Sequence, residues 1–306
     1  MTPAAKPLLE ILQSGSAYLV KRGVDEARLN MEHVLAHVLG CRRLDLYLRF
    51  NEMVPEQELG RLRDLLKRRG EGEPLQHLLG TVEFQGHEFI SDHRALIPRP
   101  ETETLVELVL KKLGGRIPTR VLDVGTGSGC IGLSLALATG APTVLADVSE
   151  DALDLARLNV SRLAGSSAIQ LVRSDLFEKI SGRFDLVVAN LPYIPRAEIA
   201  TLSREVRRDP ILALDGGPVG TEIVFRFLEE AKTHLLPDAL IALELAHDQA
   251  PAVIEKASAL GYRDAHSAAD LAGIERFVFA TAPVEELLEV KSETSEVADA
   301  EAPTDL

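Results

Sequence analysis

Asn190-Leu191-Pro192-Tyr193 sets an amide side chain, two backbone carbonyls and a flat phenol ring side by side. Asparagine offers one carbonyl acceptor and one NH2 donor, Leu191 and Pro192 offer carbonyls, and the Tyr193 ring can cover a planar group. Together they can hold a planar NH2 by its N–H bonds. Pro192 keeps Leu191 out of the αR region, so the direction of the Leu191 carbonyl is restricted before any substrate arrives. A catalytic acceptor needs that kind of preorganisation. A strand ended by a proline turn accounts for four such residues about equally well, so their meaning depends on what surrounds them.

A second set of residues points to a nucleotide-type ligand. Residues 121–129 (Val-Leu-Asp-Val-Gly-Thr-Gly-Ser-Gly) read as a strand entering a glycine-rich turn, and residues 127–132 match G-x-G-x-x-G. Glycines that only permit tight helix-on-strand packing would explain the match alone. Asp123, two residues before Gly125, favours a ligand: a carboxylate there can face an ammonium, which a pyrophosphate lacks. S-adenosylmethionine carries that ammonium and is the expected cofactor. Its carboxylate would sit on the backbone N–H groups of Gly125, Thr126, Gly127, Ser128 and Gly129. Asp147, after the next apolar run, can accept from both ribose hydroxyls. Asp175 can accept from an adenine amino group, with Leu176 and Phe177 as apolar cover and Asn190 bordering the same ligand. His33 and His37 stand four apart but lack the glutamate of a metalloprotease helix, so no metal is expected.

Positioning these residues calls for an α/β sheet. The runs 121–124, 143–146, 169–173 and 185–189 read as strands, the last of them apolar and buried. Each delivers a candidate residue at or just past its carboxyl end, where open α/β sheets bind ligands. Helical spacing marks 131–138, 151–160, 221–235 and 249–260, a fifth strand covers 239–245, and 261–263 and 275–280 close the sheet with an antiparallel last strand. Upstream, residues 104–113 form a helix with Glu101 and Glu103 in its first turn, where acids complement the helix dipole. Their nearness to the carboxyl edge also allows a supporting role. Residues 81–90 alternate as a short hairpin, and residues 7–70 carry helical apolar spacing stopped by Gly23, Gly40 and Gly70, as a small bundle would. The polar stretch 196–208 is expected to be mobile and to border the substrate groove.

Composition narrows the partners. Thirty-three Lys and Arg against 47 Asp and Glu leave a net charge of −14, which repels a phosphate backbone and disfavours nucleic acid. Arg61, Arg63, Lys67, Arg68 and Arg69 read as a solvated helix face. Two cysteines are too few for a disulfide framework and fit a reducing cytosol. The chain has neither a secretory apolar core near its start nor a run of about 18 apolar residues, so a cytoplasmic protein off the membrane is expected. Beyond Thr281 the chain holds eight acids and one lysine, which reads as a largely disordered tail with a short helix at 285–290.

Taken in order, these segments resemble the release factor glutamine methyltransferase family, whose members methylate the side-chain amide of the glutamine in the Gly-Gly-Gln motif of class 1 peptide chain release factors. The resemblance spans about residues 8–280. Its carriers are Gly72-Glu73-Pro74-Leu75-Gln76-His77-Leu78-Leu79-Gly80, residues 96–103, the glycine loop, the N-x-P-Y tetrapeptide, Ala213-Leu214-Asp215-Gly216-Gly217 and Asp270-Leu271-Ala272-Gly273-Ile274-Glu275-Arg276. It implies an α/β fold: a Rossmann-like class I S-adenosylmethionine-dependent methyltransferase domain over 96–281. A hairpin linker over 79–95 would join it to a helical substrate-docking domain over 1–78, with the acidic tail at 282–306. It implies a monomer acting on a release factor, with Asn190, Leu191, Pro192 and Tyr193 as both catalytic and substrate-binding residues.

One residue departs from the family pattern, which is usually Asn-Pro-Pro-Tyr. Leu191 keeps the carbonyl but loses a proline's fixed φ, so looser positioning is expected. Asn-Leu-Pro-Tyr also resembles the tetrapeptide of ribosomal RNA adenine dimethyltransferases. RNA adenine-N6 methylation therefore stays open, although the acidic balance weighs against it. A catalytically silent S-adenosylmethionine-binding protein stays open too, whereas an NAD dehydrogenase would need a hydride-transfer constellation that does not accompany the loop.

Overall fold

The computed structural model describes residues 6–165 and 168–283. In chain order, β1 (Lys6–Pro7) leads into α1 (Leu8–Lys21) and α2 (Ala27–Leu39), and β2 (Met53–Val54) returns to pair antiparallel with β1 ahead of α3 (Glu56–Gly70) and the short α4 (Leu75–Leu79). The helically spaced apolar residues of this part, among them Leu8, Leu19, Met31, Leu35 and Leu62, close on one another as a separate core. Arg69 does not belong to the solvated face expected of its basic run. It is 3% exposed, and its guanidinium donates to Asn30 Oδ1 at 2.7 Å, the Glu73 carbonyl at 3.2 Å and Glu205 Oε1 at 2.6 Å. A guanidinium tolerates such burial when its fork is met by acceptors.

β3 (Thr81–Phe84) and β4 (His87–Ile90) form the expected hairpin, turning through Gln85 and Gly86, both at positive φ. Phe84 and Phe89 meet edge to face and sink into the core of the main sheet. Then follow α5 (Pro100–Leu113), β5 (Val121–Val124), α6 (Cys130–Thr139), β6 (Thr143–Asp147), α7 (Glu150–Leu163), β7 (Ile169–Arg173), β8 (Phe184–Asn190), α8 (Glu222–Ala231), β9 (Leu235–Glu244), α9 (Ala250–Ala259), β10 (Arg263–Ala269) and β11 (Glu275–Thr281). α5 begins four residues earlier than its apolar spacing suggests because Pro100 opens it, proline's fixed φ being suited to the first helical position. Glu103 of its first turn is committed to the hairpin, accepting from the Gln85 N–H at 2.5 Å.

The main sheet has the order β10-β11-β9-β8-β5-β6-β7, with β5 through β9 parallel and β11 antiparallel to both neighbours. It is the α/β, class I methyltransferase arrangement, and the expected antiparallel closing strand is present. Alternation sorts the strands onto two faces. Leu122, Val124, Val187, Ala189, Ile241 and Leu243 pack with α8 and α9 residues, while Val121, Leu186, Val188 and Ala242 pack with α5 and α6 residues. Strand order reverses beside β5, which places the ligand crevice at the carboxyl ends of β5 and β8.

Two further expectations change. α8 stops at Ala231 and β9 starts at Leu235, whereas apolar spacing carries the helix through residue 235. Leu235 pairs with Phe184 but Leu240 pairs with Leu186, so the chain around residues 236–238 bulges out of the ladder, with Asp238 at φ 58°. The stretch 196–208, expected to be mobile, is tied at several points. Glu205 meets Arg69, Arg204 Nη2 donates to the Arg22 carbonyl at 2.9 Å, and just beyond it Asp209 accepts from Arg99 Nη2 at 2.6 Å. The acidic tail and its expected helix at 285–290 lie outside the described residues.

Candidate active site

The carboxyl ends of the parallel strands open onto a cavity of about 330 Å³. It brings together Gly125, Thr126, Gly127, Ser128, Asp147, Asp175, Leu176, Asn190, Leu191 and Pro192, with Leu96, Pro98 and Arg99 on one side and Leu212 and Ala213 on another. Asp123, Gly129 and Tyr193 are not among its lining residues.

The glycine turn is built by its neighbours. Gly125 sits at φ 71°, and a Cβ there would lie 2.9 Å from Leu191 Cδ2, so loop and tetrapeptide touch and only glycine fits. Gly125 N and Thr126 N donate to the Ala146 carbonyl at 2.8 and 2.9 Å, Gly127 N to Asp147 Oδ2 at 2.9 Å, and Gly129 N to the Thr126 carbonyl at 2.8 Å. The expected carboxylate cradle is corrected accordingly: these four amides already have partners inside the fold, because the turn closes against β6. Gly129 faces Ala156 and Leu145 instead of the cavity.

Asp123 is corrected as well. It is fully buried, and its Oδ2 accepts from Thr126 Oγ1 at 2.6 Å and Gly132 N at 2.9 Å, so it staples β5 to the start of α6 beneath the loop. Burial pushes its pKa up to about 6, and Oδ1 has no partner. A carboxyl whose folded pKa is raised binds its proton more tightly folded than unfolded. That stabilisation is complete below the unfolded value and lost as pH rises through about 6. Asp123→Asn, which cannot ionise, should therefore gain on the wild type by on the order of 1 kcal/mol between about pH 5 and about pH 8. The measurement is the gap in Tm between the two proteins at each pH, and a gap that does not widen would contradict it.

Asp147, the last residue of β6, is 9% exposed; Oδ1 accepts from Ser149 N at 2.9 Å and Oδ2 from Gly127 N. Burial raises its pKa, and each oxygen keeps a second lone pair for a ligand hydroxyl. Asp175 stands exposed at the rim in an ion pair with Arg226. Leu176 is held at φ 43° with its side chain buried at the cavity wall, a left-handed conformation that a non-glycine residue seldom adopts.

Asn190 ends β8, opposite Glu244 at the end of β9. Asn190 Nδ2 donates to Thr102 Oγ1 of α5 at 3.3 Å. Glu244 is 3% exposed; burial pushes its pKa up to about 7, partly offset by hydrogen bonds from Thr102 and Asn190. Tyr193 was expected to cover a planar group in the cavity. Its backbone is clamped by the segment carrying Gly216, where a Cβ would lie 2.7 Å from Tyr193 Cα, its carbonyl accepts from Gln249 Nε2 at 2.9 Å, and its phenol lies near Glu244, Arg276, Arg99 and Glu101. Burial raises the Tyr193 phenol to about 12, so it stays neutral.

Thr102, Glu244 and the Arg99–Asp209 pair were not foreseen. An acid closing the apolar run 239–243 was a readable signal for Glu244. Thr102 is hidden between two helix-capping acids, and no spacing links Arg99 to Asp209.

Among the described residues no helix is long and apolar enough to cross a membrane, and no cluster of three or more His, Cys, Asp and Glu is arranged to hold a metal. Two family models match the chain: one described as the PrmC N-terminal domain over residues 10–80, and one described as the Methyltransferase small domain over residues 100–205. A curated relative from Deinococcus radiodurans named Release factor glutamine methyltransferase is 40% identical over 272 residues, covering 89% of this chain and 97% of the relative. One of the same name from Chlorobaculum tepidum is 40% identical over 258 residues, covering 80% and 87%. Among solved structures, the hMettl16 catalytic domain in complex with MAT2A 3'UTR hairpin 6 gives a TM-score of 0.55 at 16% identity, covering 77% of this chain and 86% of that one, a likeness of fold alone.

Proposed function

Because this chain belongs to the release factor glutamine methyltransferase family, we propose that it moves a methyl group from S-adenosylmethionine to the side-chain amide nitrogen (N5) of a release-factor glutamine, at the cavity bordered by Asn190 and Leu191. The observation that carries this reading is the placing of one amide side chain and its neighbour's backbone at the switch point of the sheet, against the glycine loop.

The cavity suits the cofactor by its donor set: Asp147 has lone pairs for the ribose hydroxyls, Leu176 offers an apolar wall for the adenine, and Asp175 at the rim can accept from its amino group. When bound, S-adenosylmethionine supplies a methyl carbon activated by a sulfonium. The protein's task is to make a reluctant nitrogen attack it. An amide lone pair is delocalised into the carbonyl, so both N–H bonds must be held, one by Asn190 Oδ1 and one by the Leu191 carbonyl, to aim the lone pair. As the N–C bond forms, the C–S pair leaves with sulfur and positive charge grows on nitrogen. Both acceptors then bind more tightly, which is the differential stabilisation that lowers the barrier. The alkylated nitrogen is acidic and releases its proton to water without a strong base.

The amino-terminal segment, residues 1–78, is the substrate-docking unit in this reading, and the protein acts as a cytoplasmic monomer without nucleic acid. The test is incubation with labelled methyl donor and purified release factor, with ribosomal RNA in parallel, and location of the label by mass spectrometry. Label on the glutamine of the Gly-Gly-Gln motif is expected. Label in RNA, prompted by the Asn-Leu-Pro-Tyr sequence, or cofactor binding without transfer, would overturn the reading.

A further inference from the structure

Asn190 and Glu244 end neighbouring parallel strands in direct register. By strand alternation both fall on the face that α5 covers, since Val188 and Ala242 two residues earlier pack there. Thr102 of α5, itself 2% exposed, completes the group with its hydroxyl 3.3 Å from Asn190 Nδ2. The Glu244 carboxyl is almost wholly buried close to Thr102 and Asn190, while its Oε2 is left without a partner. An acid in the last position of a core strand carries a desolvation cost that an apolar residue would avoid, and nothing in the transfer step described above uses it.

We propose that Glu244, together with Thr102, is a positioning residue that keeps the Asn190 NH2 turned into the protein so that Oδ1 alone is presented to the substrate. This rests on the reading of Asn190 as an acceptor for the substrate amide. A side-chain amide turned by 180° swaps acceptor for donor. Presented that way, Asn190 would set its own NH2 against the substrate NH2 and lose the hydrogen bond that aims the lone pair. Thr102 removes the ambiguity by accepting from Asn190 Nδ2, and Glu244, the register partner of Asn190 on the neighbouring strand, adds acceptor oxygens on the same side.

The test compares Glu244→Gln, Glu244→Met and Thr102→Val, with Glu244→Met also built on Asn190→Ala. For each, kcat and KM for release factor are measured alongside the Kd for S-adenosylmethionine. Glu244→Met keeps the side chain's bulk without an acceptor and should lower kcat about 10- to 100-fold, with KM and Kd within about 3-fold of wild type. Glu244→Gln retains an acceptor oxygen and should stay within about 3-fold in kcat. On the Asn190→Ala background, Glu244→Met should add less than about 2-fold, because its route to the substrate is gone. Unchanged kcat in Glu244→Met, or a loss that multiplies with Asn190→Ala, overturns the proposal and leaves Asn190 in place. Full turnover by Asn190→Ala alone instead removes the reading beneath it. Should Glu244→Met fail to fold, Thr102→Val carries the same decision, with a loss of about 10-fold in kcat expected and an unchanged kcat overturning the proposal.

Discussion

Asn190→Ala is expected to lower kcat for release-factor methylation by about 100-fold or more, while S-adenosylmethionine affinity stays within about 3-fold of wild type. The substrate amide would keep the Leu191 carbonyl but lose the second acceptor, leaving its lone pair free to rotate away from the methyl carbon. A hydrogen bond that strengthens only as charge develops acts on kcat more than on KM, and preorganised acceptors of this kind are worth about 3 kcal/mol each. Asn190 borders the cavity but its NH2 is engaged with Thr102, so truncation takes little from the cofactor. Labelled-methyl kinetics and calorimetric titration of the cofactor check the two halves of this prediction. Near-normal turnover would mean that the amide is held elsewhere.

The sequence made the frame legible because burial on both faces leaves long apolar runs. Residues 121–124 and 184–189 are buried throughout, and the polar residue after such a run falls at the ligand edge. It said less about which face a residue serves. Asp123 shares its alternation with Val121, on the face covered by α5 and α6, and that parity, more than its distance from Gly125, puts it under the loop. Register was harder still. Counting β8 against β9 from the Phe184 and Leu235 pair would set Asn190 opposite Ile241. The bulge around residues 236–238 shifts the ladder by three and brings Glu244 there instead. Long-range pairs such as Arg99 with Asp209 and Arg69 with Glu205 depend on how the chain folds back over more than a hundred residues, and no local pattern encodes them.

The second large effect concerns the cofactor. Asp147→Ala is expected to weaken S-adenosylmethionine binding by about 100-fold, close to 2.7 kcal/mol. Two losses combine. The ribose hydroxyls give up a charged acceptor, each such hydrogen bond contributing about 1.5–3 kcal/mol before water competes for the same donors. Gly127 N and Ser149 N also lose their 2.9 Å acceptors, which loosens the turn that shapes the cavity. Asp147→Asn keeps one acceptor oxygen and should fall between, at about 10-fold. Calorimetry gives the affinities directly, and kinetics separate this defect from that of Asn190→Ala. With S-adenosylmethionine raised to saturation, Asp147→Ala should recover kcat to within about 5-fold of wild type, since nothing it touches holds the substrate amide, whereas Asn190→Ala should stay slow at any concentration. An Asp147→Ala protein that binds the cofactor as tightly as wild type would mean the ribose lies away from β6, and one that binds normally yet stays slow would mean Asp147 acts on the reacting amide.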